Sequence, residues 1–438
     1  MYSAPASQDE TSVSTTNISA LKYPVKDQRV PEMHDDRPIR ELIACQKPGW
    51  SLEQRFYTDP EIYQLELDNI VMRNWILAGH QSELAEPGDF KVFKVANESA
   101  IIVRGQDGEI RAFANVCRHR GSLVCLEESG NTRKFTCPYH GWVYDTEGEL
   151  VGARAMPEGF RREDHGLNRV SVDIVHGLVF ICFCTDAPSF EAAKRDLAEP
   201  MAMFGFENLK VAATKTYPIA ANWKLSIENY VECYHCAPAH PEYAKMHTLM
   251  LDVKKRERVQ EHMIEKMEAC GMKEIEYDFF GTESPPGEQG YHYSRTAMFE
   301  GYKTGSRDGE PLAPLLGELK DYDGGASDLA FGPCSFLLAY SDHVVGYVFT
   351  PVDQTHCQCQ IYWMVRGDAE EGKDYNREEL MWLWDVTTYA DEKIIVNNWS
   401  GVKSRFYRPG PFSAMELTER HWIEWVLHEL RRAPSVIS

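Results

Sequence analysis

NVCRHRGSLVCLEESGNTRKFTCPYHGWVYD, residues 115–145, decides how this chain is read. It holds Cys117 and His119, a gap of 17 residues, then Cys137 and His140. Each half supplies one thiolate and one imidazole. That set suits a [2Fe–2S] cluster with one iron held by sulfur and the other by nitrogen. Neutral imidazoles in place of two thiolates remove negative charge, so such a cluster accepts electrons more readily than an all-cysteine one, at about −150 to +300 mV. A structural zinc site pairs like ligands at wider spacing, roughly C-x(2–4)-C with H-x(3–5)-H, and neither half does so. Glycine follows both halves (Gly121, Gly141) and Pro138 stiffens the second loop, as tight loops around a buried cluster require.

Outward from that stretch, 438 residues are enough for two packed domains. The balance of 46 Lys+Arg against 67 Asp+Glu gives −21, which argues against nucleic acid or an anionic membrane as partner. No stretch approaches the roughly 20 apolar residues of a membrane span. GLVFICFC, residues 177–184, reads as a buried strand. The first forty residues show no signal-type apolar run and no twin-arginine start, and the 12 cysteines follow no disulfide framework. A cytoplasmic protein is the expectation.

Residues 1–20 are rich in Ser and Thr, and 1–40 are expected to be disordered. Helices are expected over 41–74, among them one near 60–73 capped by Asp59, with Pro60 in its first turn and Ile62, Leu65, Ile70 and Val71 on a buried face. From 75 to 170 the pattern is short strands and turns: FKVFKV, AIIVRG, EIRAFANV, KFTC and WVYDTEGELV, punctuated by Gln106-Asp107-Gly108 and Thr146-Glu147-Gly148. Residues 171–438 read as a second domain. There FLLAYSDHVVGYVFTPVD and HCQCQIYWMV look like strands and 378–402 like a long helix. The polar, Gly-rich stretch 272–330 reads as an insertion, a lid or a disordered loop. No internal repeat is present.

A second constellation lies in ANWKLSIENYVECYHCAPAHPEYAKMH, residues 221–247. Trp223, Ile227, Tyr230, Val231 and Tyr234 recur at helical spacing behind an Asn222 cap, and Pro238 should break that helix. His235 and His240 then lie close together near a helix end. With one carboxylate from elsewhere they would make a 2-His-1-carboxylate face, which leaves positions on Fe(II) open for O₂. His-x4-His alone is weak, but a redox cluster needs somewhere to deliver its electron.

Cys-Arg-His-Arg-Gly, Cys-Pro-Tyr-His-Gly-Trp and Asn-Trp-Lys…Glu-Asn…Glu-x-x-His-x4-His, in this order, resemble the α subunit of Rieske non-haem iron oxygenases over about residues 50–438. The resemblance implies an α+β chain: a small all-β Rieske [2Fe–2S] domain and a larger catalytic domain with a curved antiparallel sheet and helices. It implies that Cys117, His119, Cys137 and His140 hold the cluster. It implies that His235, His240 and a later aspartate hold a mononuclear Fe(II), one of each centre per chain. In WDVTTYADEKIIVNNWSG that aspartate is Asp391, with Asp385 as the alternative. Glu232 takes the place of the family's bridging carboxylate, which links a cluster histidine of one subunit to an iron histidine of the next and so implies a homotrimer. Glutamate there, with ANWKL, ENYVECYHC, SDHVV and YRPGPFS, resembles the subgroup acting on quaternary ammonium compounds: glycine betaine and carnitine monooxygenases and stachydrine demethylase.

The activity so implied is hydroxylation of an N-methyl group with O₂, releasing formaldehyde and the demethylated amine. No G-x-G-x-x-G after a strand and no plant-type ferredoxin spacing is found, so NAD(P)H and flavin would act through a separate ferredoxin-type reductase. Oxygenation of an aromatic acid is the alternative within the class. A Rieske electron carrier without oxygenase activity, or a ligand-binding protein retaining the fold, are alternatives outside it. Aromatic faces for a small cationic substrate could come from Tyr291, Tyr293, Phe299, Phe336 or Tyr340. Other conspicuous residues take plainer readings: Cys182, Cys184, Cys357 and Cys359 as small core residues, Cys125, Cys233 and Cys236 as packing, and His343 as a hydrogen-bonded strand histidine.

Overall fold

The computed structural model describes residues 36–248, 251, 253–273, 275–279 and 287–432. The segment expected to be disordered, 1–40, lies outside the described residues except for 36–40.

Short alternating runs build a seven-stranded antiparallel sheet from β1 (Ile76–His80), β2 (Asp89–Val95), β3 (Glu98–Arg104), β4 (Ile110–Ala114), β5 (Ser129–Asn131), β9 (Arg169–Val175) and β10 (Leu178–Cys182), in the order β1-β10-β9-β4-β3-β2-β5. β6 (Lys134–Thr136), β7 (Val143–Asp145) and β8 (Leu150–Gly152) form a separate three-stranded sheet. Phe90, Phe113, Phe135, Trp142, Tyr144 and Leu150 close between the two as a small core of their own, with Cys117 and Cys137 in it. All five expected strands are present, and β10 is buried along its whole length, as its unbroken apolar run requires.

The second seven-stranded sheet runs β11-β17-β16-β15-β14-β13-β12. Its strands are β11 (Leu209–Ile219), β12 (Tyr277–Phe279), β13 (Tyr291–Ala297), β14 (Gly325–Phe331), β15 (Ser335–Ala339), β16 (Val344–Asp353) and β17 (His356–Arg366). Bulges at Val211/Ala213 and Pro351/Asp353 bend it. The stretch 272–330 is therefore not a lid. It supplies three strands of this sheet, with β13 and β14 paired from Tyr291↔Phe331 to Ala297↔Gly325. Most of its glycines and charges lie in the connections, and these outweigh in composition the short alternation Tyr291-His292-Tyr293-Ser294 on β13. Residues 274 and 280–286 of that stretch lie outside the described residues.

The Arg377–Val402 helix starts where expected, with Asn376 accepting from the Glu379 N–H at 3.0 Å. Asp59 caps the Pro60–Glu66 helix by accepting from the Glu61 N–H at 2.9 Å, and a π turn carries the chain on through Leu67–Val71. Ile62, Ile70 and Val71 are buried, and Leu65 is only partly so. Glu66, in the same helix, is wholly buried and accepts from Lys224 Nζ at 2.6 Å and Trp223 Nε1 at 3.1 Å. Burial pushes its carboxyl up, and Lys224 pulls against that. This pair ties the N-terminal helices to the helix that leads into the second constellation.

Removing one partner of such a pair strands a charge without solvent. Lys224→Met should cost about 3–5 kcal/mol in reversible denaturation, whereas Glu66→Gln with Lys224→Met should recover most of the loss. Equal stability of the single and double variants would refute a charge-pairing role for Lys224.

Candidate metal centres

The first centre is made by two loops of matching build. Gly121 N–H donates to the Cys117 carbonyl at 3.0 Å, and Gly141 N–H to that of Cys137 at 3.0 Å. Both glycines have positive φ, +80° and +71°, which other residues reach only with strain. The loops bring His119 Nδ1 within 3.1 Å of His140 Nδ1, with the buried thiols Cys117 and Cys137 behind them. Trp142 stacks on His119 at 4.8 Å, and Tyr144 OH lies 3.3 Å from Cys117 Sγ. Burial pushes the Cys117 thiol up, and the nearby Cys137 adds to this. Such a thiol stays deprotonated only against a strong positive charge. Two sulfurs and two facing ring nitrogens fit a [2Fe–2S] cluster with mixed ligands.

The second centre begins where the Trp223–Tyr230 helix stops. Asn222 caps it as expected, accepting from the Lys224 N–H at 3.2 Å. The helix ends at Tyr230, short of Tyr234, which is 57% exposed. Glu232 explains the early end. Its Oε2 accepts from the backbone N–H groups of Tyr234 and His235, turning the chain before Pro238 is reached. Pro238 then sits inside a four-residue helix, Cys236–Ala239, where a first-turn residue needs no N–H partner. His235 and His240 flank that helix.

The Arg377–Val402 helix brings Asp391 to both histidines, with Oδ1 3.3 Å from His235 Nε2 and 3.1 Å from His240 Nε2. Asp385 lies about one and two-thirds turns earlier and faces elsewhere, bonded to Lys215 Nζ at 2.6 Å and to Tyr217 OH. His240 Nδ1 and Nε2 and Asp391 Oδ1 are buried without a hydrogen-bond partner. Buried polar atoms are rarely left so. Of these, His240 Nε2 and Asp391 Oδ1 converge with His235 Nε2 and fit a divalent cation, and two imidazoles with one carboxylate suit Fe(II) with open positions.

Burial disfavours charge on His235, but Asp391 on one nitrogen and Glu232 on the other push its imidazole up to about 9. The same two histidines hold the Asp391 carboxyl below its usual range against the opposing effect of burial. Glu232 Oε1 lies 2.5 Å from His235 Nδ1, so this carboxylate both orients the ring and holds the local backbone.

Cys233 and Cys236, expected only to pack, are joined by a disulfide that spans His235. Their side chains meet because the helix stops at Tyr230 and the chain folds back, an event with no local sequence signature. Cys125 packs as expected, and Cys357 and Cys359 are core residues. Cys182 is buried with Cys184 Sγ at 3.2 Å. His343 lies in the β15–β16 turn rather than in a strand, with Nδ1 2.8 Å from Asp342 Oδ1.

Rings crowd the metal face. Tyr230 meets Phe336 at 4.7 Å, Tyr347 at 5.0 Å and Phe349 at 5.4 Å, and Trp384 meets Tyr340 at 5.8 Å and Tyr243 at 6.0 Å. A cleft lined in part by Tyr230, Tyr347, Phe349 and Asp391 opens beside it. Phe336 and Tyr340 belong to this wall as expected, but Tyr291 and Tyr293 do not. They share the other face of β13, where Tyr291 OH bonds Asp196 and Tyr293 OH meets Ser327 at 3.2 Å. Tyr230, Tyr347 and Trp384 were not anticipated, although the Tyr347–Phe349 alternation on β16 carried the signal.

Comparison with known proteins fits this geometry. Residues 74–172 match the Rieske [2Fe-2S] domain, and residues 206–431 match the ring hydroxylating alpha subunit (catalytic domain). The chain belongs to the Rieske non-haem iron oxygenase family. It is 30% identical over 394 residues to the glycine betaine monooxygenase oxygenase subunit of Pseudomonas aeruginosa, covering 88% of this chain and 90% of that one. It is 31% identical over 434 residues to the protein of the same name from Chromohalobacter salexigens, covering 96% and 93%. Its fold matches the quaternary ammonium Rieske monooxygenase CntA with a TM-score of 0.68 at 24% identity, over 89% of this chain and 98% of that one. As a family member it holds a Rieske cluster and a mononuclear iron and draws electrons from a separate reductase. No helix among the described residues is long and apolar enough to cross a membrane.

Asp391→Ala should lose the mononuclear iron while keeping the cluster's visible absorption, and Asp385→Ala should keep both; iron analysis on purified protein decides this. A metal ion must displace the proton that the two carboxylates hold on His235. In metal-free protein the apparent Fe(II) affinity should therefore rise about tenfold per pH unit and level off above pH about 9. Titration under argon that shows a flat profile from pH 6.5 upward would exclude that competition.

Proposed function

We propose that the chain is the oxygenase component of a monooxygenase that hydroxylates an N-methyl group of a quaternary ammonium compound resembling glycine betaine. The observation that carries this reading is the aromatic wall of Tyr230, Phe336, Tyr340, Tyr347 and Trp384 beside the His235–His240–Asp391 face. A quaternary nitrogen has no N–H to donate, so ring faces are what can hold it. The two glycine betaine monooxygenase relatives support the same substrate class.

In this reading residues 75–170 carry the cluster on Cys117, His119, Cys137 and His140. Residues 171–438 hold the iron on His235, His240 and Asp391. The bound iron supplies O₂ activation and C–H hydroxylation. The aromatic wall excludes water and presents one methyl group to the metal face. The hydroxylated methyl is a carbinolamine, which splits into formaldehyde and the demethylated amine. Glu232 keeps His235 in one tautomer and orientation. From its outer side it would accept the N–H of a cluster histidine of a neighbouring copy, in a cytoplasmic homotrimer closed head to tail.

A screen of quaternary ammonium compounds and aromatic acids, with a surrogate flavin-dependent reductase, tests the reading through formaldehyde release. About one formaldehyde per O₂ consumed is expected with a betaine-like substrate, and product from aromatic acids alone would overturn it. Absence of substrate-dependent O₂ uptake would instead point to an electron carrier. In the same assay Glu232→Gln should keep both metal centres yet reoxidise its cluster at least about tenfold more slowly when substrate and O₂ are added.

A further inference from the structure

β14 carries a carboxylate where its neighbours are buried. In GASDLAF every residue is buried except Asp328, which keeps part of its accessible surface. Register places Asp328 opposite Leu338 of β15 and Ser294 of β13, so these side chains share one face of the sheet. Phe336, two residues from Leu338, lies on that face and packs on Tyr230. Asp328 thus stands on the wall that faces the metal-binding histidines.

Its charge reaches the rings there. Burial pushes the phenols of Tyr230, Tyr243 and Tyr340 up, and Asp328 pushes each further. Tyr243 also feels Asp391, so the two carboxylates act on one poorly screened space. Asp328 itself is pushed up to about 6 by burial. Among the described residues no Lys, Arg or His nitrogen lies within 4.0 Å of it. Thr296 Oγ1 approaches only to 3.5 Å, and His292 and Arg295 attract it from farther off. Arg295 is committed to Asp323, through Nε and Nη2 at 2.6 Å each. A carboxylate in such surroundings needs a cation, and the protein supplies none in contact.

We infer that Asp328 is the counter-ion of the substrate's ammonium group, a binding residue that selects a cationic N-methyl centre over a neutral one of the same shape. The inference rests on the quaternary ammonium reading above. The rings alone accommodate a trimethylammonium or a tert-butyl group, since both are apolar and nearly isosteric. A full negative charge on the same wall separates them. It also sets the pose of a zwitterion, whose own carboxylate must point away from β14.

The test compares affinities of the holoenzyme under argon for three probes: tetramethylammonium, glycine betaine, and the tert-butyl isostere in which carbon replaces its nitrogen. Wild type should prefer glycine betaine to the isostere. Asp328→Asn should weaken both cations about tenfold or more, equivalent to about 1.4 kcal/mol, and leave the isostere within about twofold. Asp328→Glu should restore most of the preference. In turnover the loss should fall on KM and leave kcat within about threefold. Cluster absorption and iron content verify folding, and Asp328→Ser serves if the asparagine variant does not assemble. Unchanged cation affinity in Asp328→Asn, or an equal loss for cation and isostere, overturns the assignment. If wild type releases formaldehyde from a quaternary ammonium compound while Asp328→Asn discriminates as before, only Asp328 is misassigned. If wild type does not prefer the cations at all, the substrate reading falls with it.

Discussion

His240 Nε2 and one carboxylate oxygen of Asp391 face each other, both buried and neither hydrogen-bonded within the chain. Atoms like these are tolerated when a cation completes them, and the surrounding structure is arranged around that demand. The helix carrying Asp391 runs for 26 residues, long enough to be rigid where it meets the histidines. The opposite ligand group sits on the less regular stretch 231–240, which Glu232 holds by backbone and imidazole together. One rigid element and one carboxylate-braced turn meet at a single point.

The carboxylates behind that turn are kept from adding charge to it. Glu228, bonded by Tyr57 OH at 3.0 Å to each oxygen, is pushed up to about 7 by burial. Glu419 is pushed to about 10, by burial first and then by Glu228, Glu416 and Glu232. A proton held on Glu419 at neutral pH, and one partly held on Glu228, lessen the negative charge behind that turn.

What was legible in the sequence was whatever is decided within a few residues. Both loops of the first centre carry their cysteines, histidines, glycines and proline in contiguous strings, so the residues that the structure brings together there were legible in advance. Asn222 and Asp59 announced their helices because a cap acts on the next three residues. Tyr234 misled because helical spacing continues past the point where the Glu232 side chain captures the backbone. Residues 272–330 misled because β13 and β14 gain their stability from pairing partners on both sides, and composition does not report on those. Phe336 and Tyr340 were legible as candidates, but Tyr230, Trp384 and Asp328 were out of reach for a related reason. They come from two helices and β14, and only strand register and helix packing show that they share a face with β15 and β16.

The tie between Glu66 and Lys224 joins residues 158 positions apart, with the entire cluster-bearing sheet between them in the chain. At ribosomal speeds of about 5–20 residues per second, the Pro60–Glu66 helix waits roughly 8–30 s for its partner to be made. The cluster-bearing strands close on one another in that interval, using contacts complete before Lys224 exists. Assembly of the chain is thus ordered in time: cluster scaffold first, then the clasp that returns the N-terminal helices to the later sheet. A metal held jointly by His235, His240 and Asp391 would have its full set of side chains only once residue 391 has been made, near the end of synthesis.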